Sequence, residues 1–269
     1  MTHTNLATRA LACLRHDSPD EKIAGTAQLW ADWKDGTVPL PDAQEPVLAV
    51  EIPGRPERPK LVAPREIERR SVHIRVGHAS LIHALTHIEF NAINLALDAT
   101  YRFRGLPREY YADWLSVAAE EAYHFGLLRE HLRHLGHDYG DFPAHDGLWQ
   151  MCRRTAHDAL ARLALVPRLL EARGLDACPA LIKKLASVKD ARGVEILEII
   201  LRDEIGHVLI GNRWYDYLCV ARGANPAEQF QLILKEYDVP PPRPPLHWAA
   251  REAAGFSAKE LRFLETGSD

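Results

Sequence analysis

The chain has 269 residues, 46% hydrophobic and 26% charged, the balance of a globular protein rather than a disordered or fibrous one. Its formal net charge of −4 offers no basic field, so nonspecific nucleic-acid binding is not favoured. No apolar run approaches the roughly 20 residues that cross a bilayer, and Cys13, Cys152, Cys178 and Cys219 are too scattered for a zinc cluster or a disulfide frame.

The N-terminal stretch MTHTNLATRALACLRHDS lacks a long apolar core followed by a cleavage site, so no signal peptide is expected and the expected compartment is the cytoplasm. Residues 4–16 are helix-like, and Ser18-Pro19-Asp20 introduces a second helical run, Glu21 to Trp33, with Ile23, Ala27, Trp30 and Trp33 on its docking face. From Asp35 to Pro64 seven prolines rule out a helix and favour an extended strap, held to the core by the apolar stretch Val47–Val50. Residues 1–65 therefore read as a wrapping segment and not an independent domain.

Four long helical patterns follow, filling 66–225. The first runs from Glu66 or Val72 to Arg104, and the second from Glu109 to Leu135. The third runs from His145 to Gly174, with a kink expected at Pro167, and the fourth from Ser187 to Arg222. Short connectors and the absence of strand-like alternation predict an all-α fold, a four-helix bundle. Residues 226–269 hold a short helix near 227–235, a proline strap at 239–245 and two further helical runs, the last opened by a Ser257/Glu260 capping box.

Chemistry concentrates on the second and fourth patterns. Each carries Glu-x-x-His, as Glu121/His124 and Glu204/His207. At about 100° per residue, positions three apart share a helix face. Both pairs lie on apolar seams: Trp114, Val117, Glu121, His124 and Leu128 on one, Leu197, Ile200, Glu204, His207 and Trp214 on the other. A carboxylate buried in such a seam needs a compensating partner, and a bound cation supplies one.

On the first pattern the inward stripe Ile82, Leu85, Glu89, Ala92, Ala96, Ala99, Phe103 has Glu89 as its only acid. On the third, Asp146, Asp158 and Glu171 compete, and spacing selects Glu171. Glu121 follows Glu89 by 32 residues and Glu204 follows Glu171 by 33. One Glu from each of two helices and Glu-x-x-His from each of the other two is a di-metal carboxylate arrangement.

The series Glu89, Glu121-x-x-His124, Glu171, Glu204-x-x-His207 resembles the ferritin-like superfamily of di-iron and di-manganese bundles. The wording HIEFNAINLALD (87–98), EEAYHFGLLREHL (120–132), LVPRLLEARGLD (165–176), RDEIGHVLIGNRW (202–214) and AAREAAGFSAKEL (249–261) resembles a bacterial ferritin-like family of unknown function. The resemblance spans about 70–265. It implies a ferritin-like bundle holding two divalent ions, Fe or Mn, with Glu121 and Glu204 bridging them. It further implies O2 or peroxide as a small-molecule oxidant. It names no substrate, and tRNA enters only by superfamily analogy, against the acidic charge of the chain.

Four glutamates balance two divalent ions and two neutral imidazoles complete the shells, a donor set suited to Fe or Mn. Asp203 and Glu120 are candidates to accept the outer N–H of a ligating histidine. Ala92, Ala118, Gly206 and Gly211 would leave room beside the ions. His83 and His87 point away from Glu89 and are expected in supporting or surface roles, and His131 in the core; His78 fits no convergent pattern. Three readings stay open: a redox enzyme, a non-enzymatic metal protein for storage, ferroxidation or sensing, and a metal-free scaffold with the six polar residues in one buried network.

Overall fold

The computed structural model describes residues 4–266, in which eleven α-helices and no strand occur. Positions 1–3 and 267–269, the outer ends of the two predicted flanking segments, lie outside the described residues. No helix among the described residues is long and apolar enough to cross a membrane. The chain divides after Arg153 into two units.

The first unit opens with α1 (Leu6–Arg15) and α2 (Pro19–Lys34). Asn5 and Ser18 cap them, accepting from the Thr8 and Glu21 amides. The buried face of α2 is Lys22, Thr26, Leu29 and Trp33, offset by one residue from the predicted docking face, of which only Trp33 is buried. The reason is Lys22, whose ammonium donates to the Cys13 and Leu14 carbonyls at 3.2 and 2.7 Å. It thereby adds a second donor to two carbonyls at the C-terminus of α1, which also accept from the His16 and Gly54 amides. Burial lowers its pKa to about 7.

Beyond α2, an extended strap runs to a short 3-10 turn at Pro64–Glu66. Val47 and Leu48 are exposed, so the apolar stretch contributes only Val50 to the core. Backbone hydrogen bonds fasten the strap instead. Leu6 N–H donates to Pro39, Gly54 N–H to Leu14, and the Trp149 indole to Glu51. The Tyr101 hydroxyl both accepts from and donates to the Leu48 backbone. Gly54 is required where it sits, since a Cβ there would lie 2.3 Å from the Arg15 carbonyl.

Helix α3 (Arg75–Arg102) is buried on every side from Glu89 to Tyr101. It packs against α1 on one flank and α4 (Arg108–His134) on another, which explains a helix apolar all round. All seven residues of its predicted inward stripe are buried. The unit ends in α5 (Gly147–Arg154).

In the second unit the third helical pattern is not one kinked helix. After α5, Asp158 caps a new helix, α6 (Ala159–Leu165), followed by a π-helical segment, Val166–Glu171, and then α7 (Ala172–Ser187). Pro167 has no N–H to give, and the wider π turn accommodates it where an α turn would be broken. Gly174 does not end the helix, which runs on to Ser187.

Asp190 caps α8 (Ala191–Ala221) by accepting from the Gly193 amide. Asn225 caps α9 (Pro226–Glu236), and the chain closes with α10 (Trp248–Ala253) and α11 (Ala258–Thr266). The predicted capping box is present, with Ser257 N–H and Oγ–H donating to Glu260 and the Glu260 amide returning to Ser257 Oγ. Buried Arg251 clamps α10 to α7, donating to Asp176 and to the Ala172 carbonyl.

Candidate metal centre

In the first unit, α3 and α4 bring Glu89, Glu121 and His124 together. All three are buried, at 4%, 0% and 0% exposure. His124 Nδ1 lies 3.7 Å from Glu89 Oε2 and 3.5 Å from Glu121 Oε2. One donor atom from each falls within 4.8 Å of the others. Burial opposes charge on His124, but Glu121 and Glu89 outweigh it and hold its pKa at about 11. Two acidic side chains in a dry interior thus draw in positive charge. The donor set fits a hard or borderline divalent ion, which supplies that charge more fully than one proton.

In the second unit, α8 carries Glu204 and His207, with His207 Nδ1 3.7 Å from Glu204 Oε1. His207 is 1% exposed and the Glu204 side chain 13%. Glu171 ends the π segment and is half-buried. The hairpin of α7 and α8 fixes its level. A Cβ on Gly211 would meet Pro167, one on Gly193 would meet Leu185, and the Cys178 thiol reaches the Leu197 carbonyl. Continuing that antiparallel register sets Glu171 level with Glu204 and His207. Arg168, one of two arginines flanking Glu171 in the sequence, donates to Asn212 and Glu260.

Of the small residues expected to leave room beside the ions, Gly211 changes its role. Gly211 leaves no room for a ligand, because its open face is filled by the Pro167 ring, 2.4 Å from where a Cβ would stand. Gly206 differs, since a Cβ there would meet nothing within 4 Å. Asp203 receives a two-pronged hydrogen bond from Arg202 at 2.7 and 3.1 Å, and Glu120 a long one from Ser116.

His83 and His87 are buried rather than at the surface, and they anchor the loop after α4. The Gly140 amide donates to His83 Nε2. His87 Nε2 faces the His145 carbonyl and Nδ1 the Tyr139 hydroxyl. The Asn91 amide nitrogen also lies 3.1 Å from Nε2. Burial lowers both pKa values to about 4, leaving the rings neutral. His78 and His131, treated separately in the sequence, meet edge to face at 6.3 Å.

Sequence reasoning missed the π segment beneath Glu171; its only signal was a proline followed four residues later by the chosen acid. It also passed over the cleft around Arg168, for which no linear signal exists.

Residues 15–262 match a family described as "Protein of unknown function (DUF455)". An "Uncharacterized protein" of Haemophilus influenzae (strain ATCC 51907 / DSM 11121 / KW20 / Rd) is 46% identical over 264 residues, covering 93% of this chain and 90% of the relative. No solved structure matches significantly. The likeness to the ferritin-like superfamily thus rests on the Glu and Glu-x-x-His series alone.

Proposed function

We propose that this chain, which belongs to the family described as "Protein of unknown function (DUF455)", is a di-metal carboxylate protein of ferritin-like architecture acting as an oxidoreductase. The observation that carries the reading is the buried trio Glu89, Glu121 and His124, two acids and an imidazole sharing one small volume. The second Glu-x-x-His repeats that motif on α8 with the same ring-nitrogen-to-carboxylate approach. Neither half alone supplies enough donors for two ions; together they supply four carboxylates and two imidazoles.

In this reading Glu89, Glu121 and His124 would hold one ion and Glu171, Glu204 and His207 the other. A pair of Fe or Mn ions held there would supply electrons for the reduction of O2 or peroxide. The chain's own side chains fix donor geometry and keep the surroundings dry: Trp114, Val117 and Leu128 are buried on the Glu121 seam, and Leu197, Ile200 and Trp214 on the Glu204 seam. Gly206, two residues from Glu204 and so on nearly the opposite side of the helix, has open space beside it, since a Cβ there would meet nothing within 4 Å.

Elemental analysis of protein purified without chelator tests this directly. The wild-type chain should carry about two Fe or Mn ions, and Glu121→Ala and Glu204→Ala should each abolish stoichiometric binding. Retention of both ions by both variants would remove the assignment.

A further inference from the structure

The second unit contains a cleft of about 500 Å3 that the metal chemistry does not use. Arg168 lines it and is 3% exposed. Its guanidinium carbon lies 5.0, 5.1 and 4.6 Å from the ring centres of Tyr215, Phe230 and Phe256. Nη1 donates to Asn212 and Nη2 to Glu260, but the buried Nε–H has no acceptor. A buried donor left unsatisfied is destabilising, and an incoming carboxylate would relieve it.

The remaining lining is of mixed sign. The first turns of α9 and α11 contribute to the wall, and their N-termini favour negative charge. Asp216 lies at the same cleft, exposed, without an ion pair, and near enough to Arg168 and Glu260 to feel both charges. Phe230, Phe263 and Leu264 supply an apolar wall. A simple anion would meet Asp216, Glu228 and Glu260; a simple cation would meet Arg168 and Lys259. A molecule carrying both charges satisfies both ends.

We propose that this cleft binds a small zwitterion with an apolar side group, of the α-amino acid form. Its carboxylate accepts from Arg168 Nε–H, its ammonium pairs with Asp216, and its side group lies on Phe230 and Phe263. The volume is within the range of small-molecule sites, roughly 300–1,000 Å3. The assignment is independent of the metal reading, because every residue it uses lies in the second unit and none is a proposed ligand.

Calorimetric titration of the full chain with L-phenylalanine, 3-phenylpropanoate and phenethylamine tests it. L-Phenylalanine should bind at least roughly tenfold tighter than either analogue, since 3-phenylpropanoate leaves Asp216 without a counter-charge and phenethylamine leaves the Arg168 Nε–H without an acceptor. Asp216→Asn should weaken L-phenylalanine about tenfold and leave 3-phenylpropanoate unchanged. Ala227→Trp, an exposed lining position, should abolish binding while circular dichroism and metal content stay as in the wild type. The proposal is overturned if L-phenylalanine does not bind, if either analogue binds equally well, or if Asp216→Asn has no effect.

Discussion

The two Glu-x-x-His pairs are alike in sequence and unlike in setting. Glu121 and His124 sit in an uninterrupted α-helix facing another, and with Glu89 they are almost fully buried. Glu204 and His207 face a third strand of helix broken by a π segment, with Glu204 and Glu171 half-buried. Regular helices packed on both flanks hold side chains in one arrangement, whereas a π segment is a local departure from the preferred hydrogen-bond ladder. In the proposed metal reading the first half-site is therefore the preformed one, and the second is the half able to adjust its donors.

The largest effects should separate the halves by ligand loss. Glu89→Ala removes a carboxylate from a dry, fixed trio, and the metal affinity should fall on the order of 100-fold or more. Glu171→Ala removes one from a half-buried position where water can substitute, and the fall should be about tenfold. Competitive titration against a chelator measures both. Equal losses would erase the distinction between a rigid and an adjustable half.

The metal-free protein offers a second contrast, inside the first unit. The folded pKa of His124, about 11, is raised above its unfolded value. Its contribution is complete below about pH 6.5 and is lost as pH rises toward 11. Lys22 runs the other way: burial lowers its folded pKa from 10.5 to about 7, so its penalty is full below 7 and gone above 10.5. Between those limits the two slopes oppose each other. Denaturant midpoints measured from pH 7 to 10 should rise with pH in His124→Gln and fall in Lys22→Met. Parallel slopes in the two variants would show that one of these groups is not titrating as its surroundings dictate.

How much of this was legible in the sequence follows from what each residue depends on. Glu89, Glu121 and His124 were readable because helical period alone puts them on apolar seams, and burial of a seam is nearly independent of its partners. The capping box at Ser257 and the strap after Lys34 were readable for the same local reason. The docking face of α2 was misjudged by one position because an ammonium that caps a neighbouring helix is a tertiary event. The third helix was misjudged because a proline in a helical pattern signals disruption without saying whether the chain kinks, breaks or widens into a π turn.

Gly206 and Gly211 sharpen the contrast at the smallest scale, being five residues apart on one helix with opposite surroundings. Gly211→Ala would drive a methyl into the Pro167 ring, whose Cβ and Cγ stand 2.4 and 2.7 Å from the new atom. That ring cannot swing aside, so overpacking should cost about 1–3 kcal/mol. Pro167→Ala in the same chain should recover part of the loss, since the two positions share one contact. Gly206→Ala meets nothing within 4 Å and replaces the poorest helix former bar proline with the best. Chemical denaturation should therefore show a gain of up to about 1 kcal/mol. A gain at 206 with a loss at 211 would place the tight contact of the second unit at the π segment, whereas a loss at both would mean that the side of α8 bearing Gly206 is closed as well.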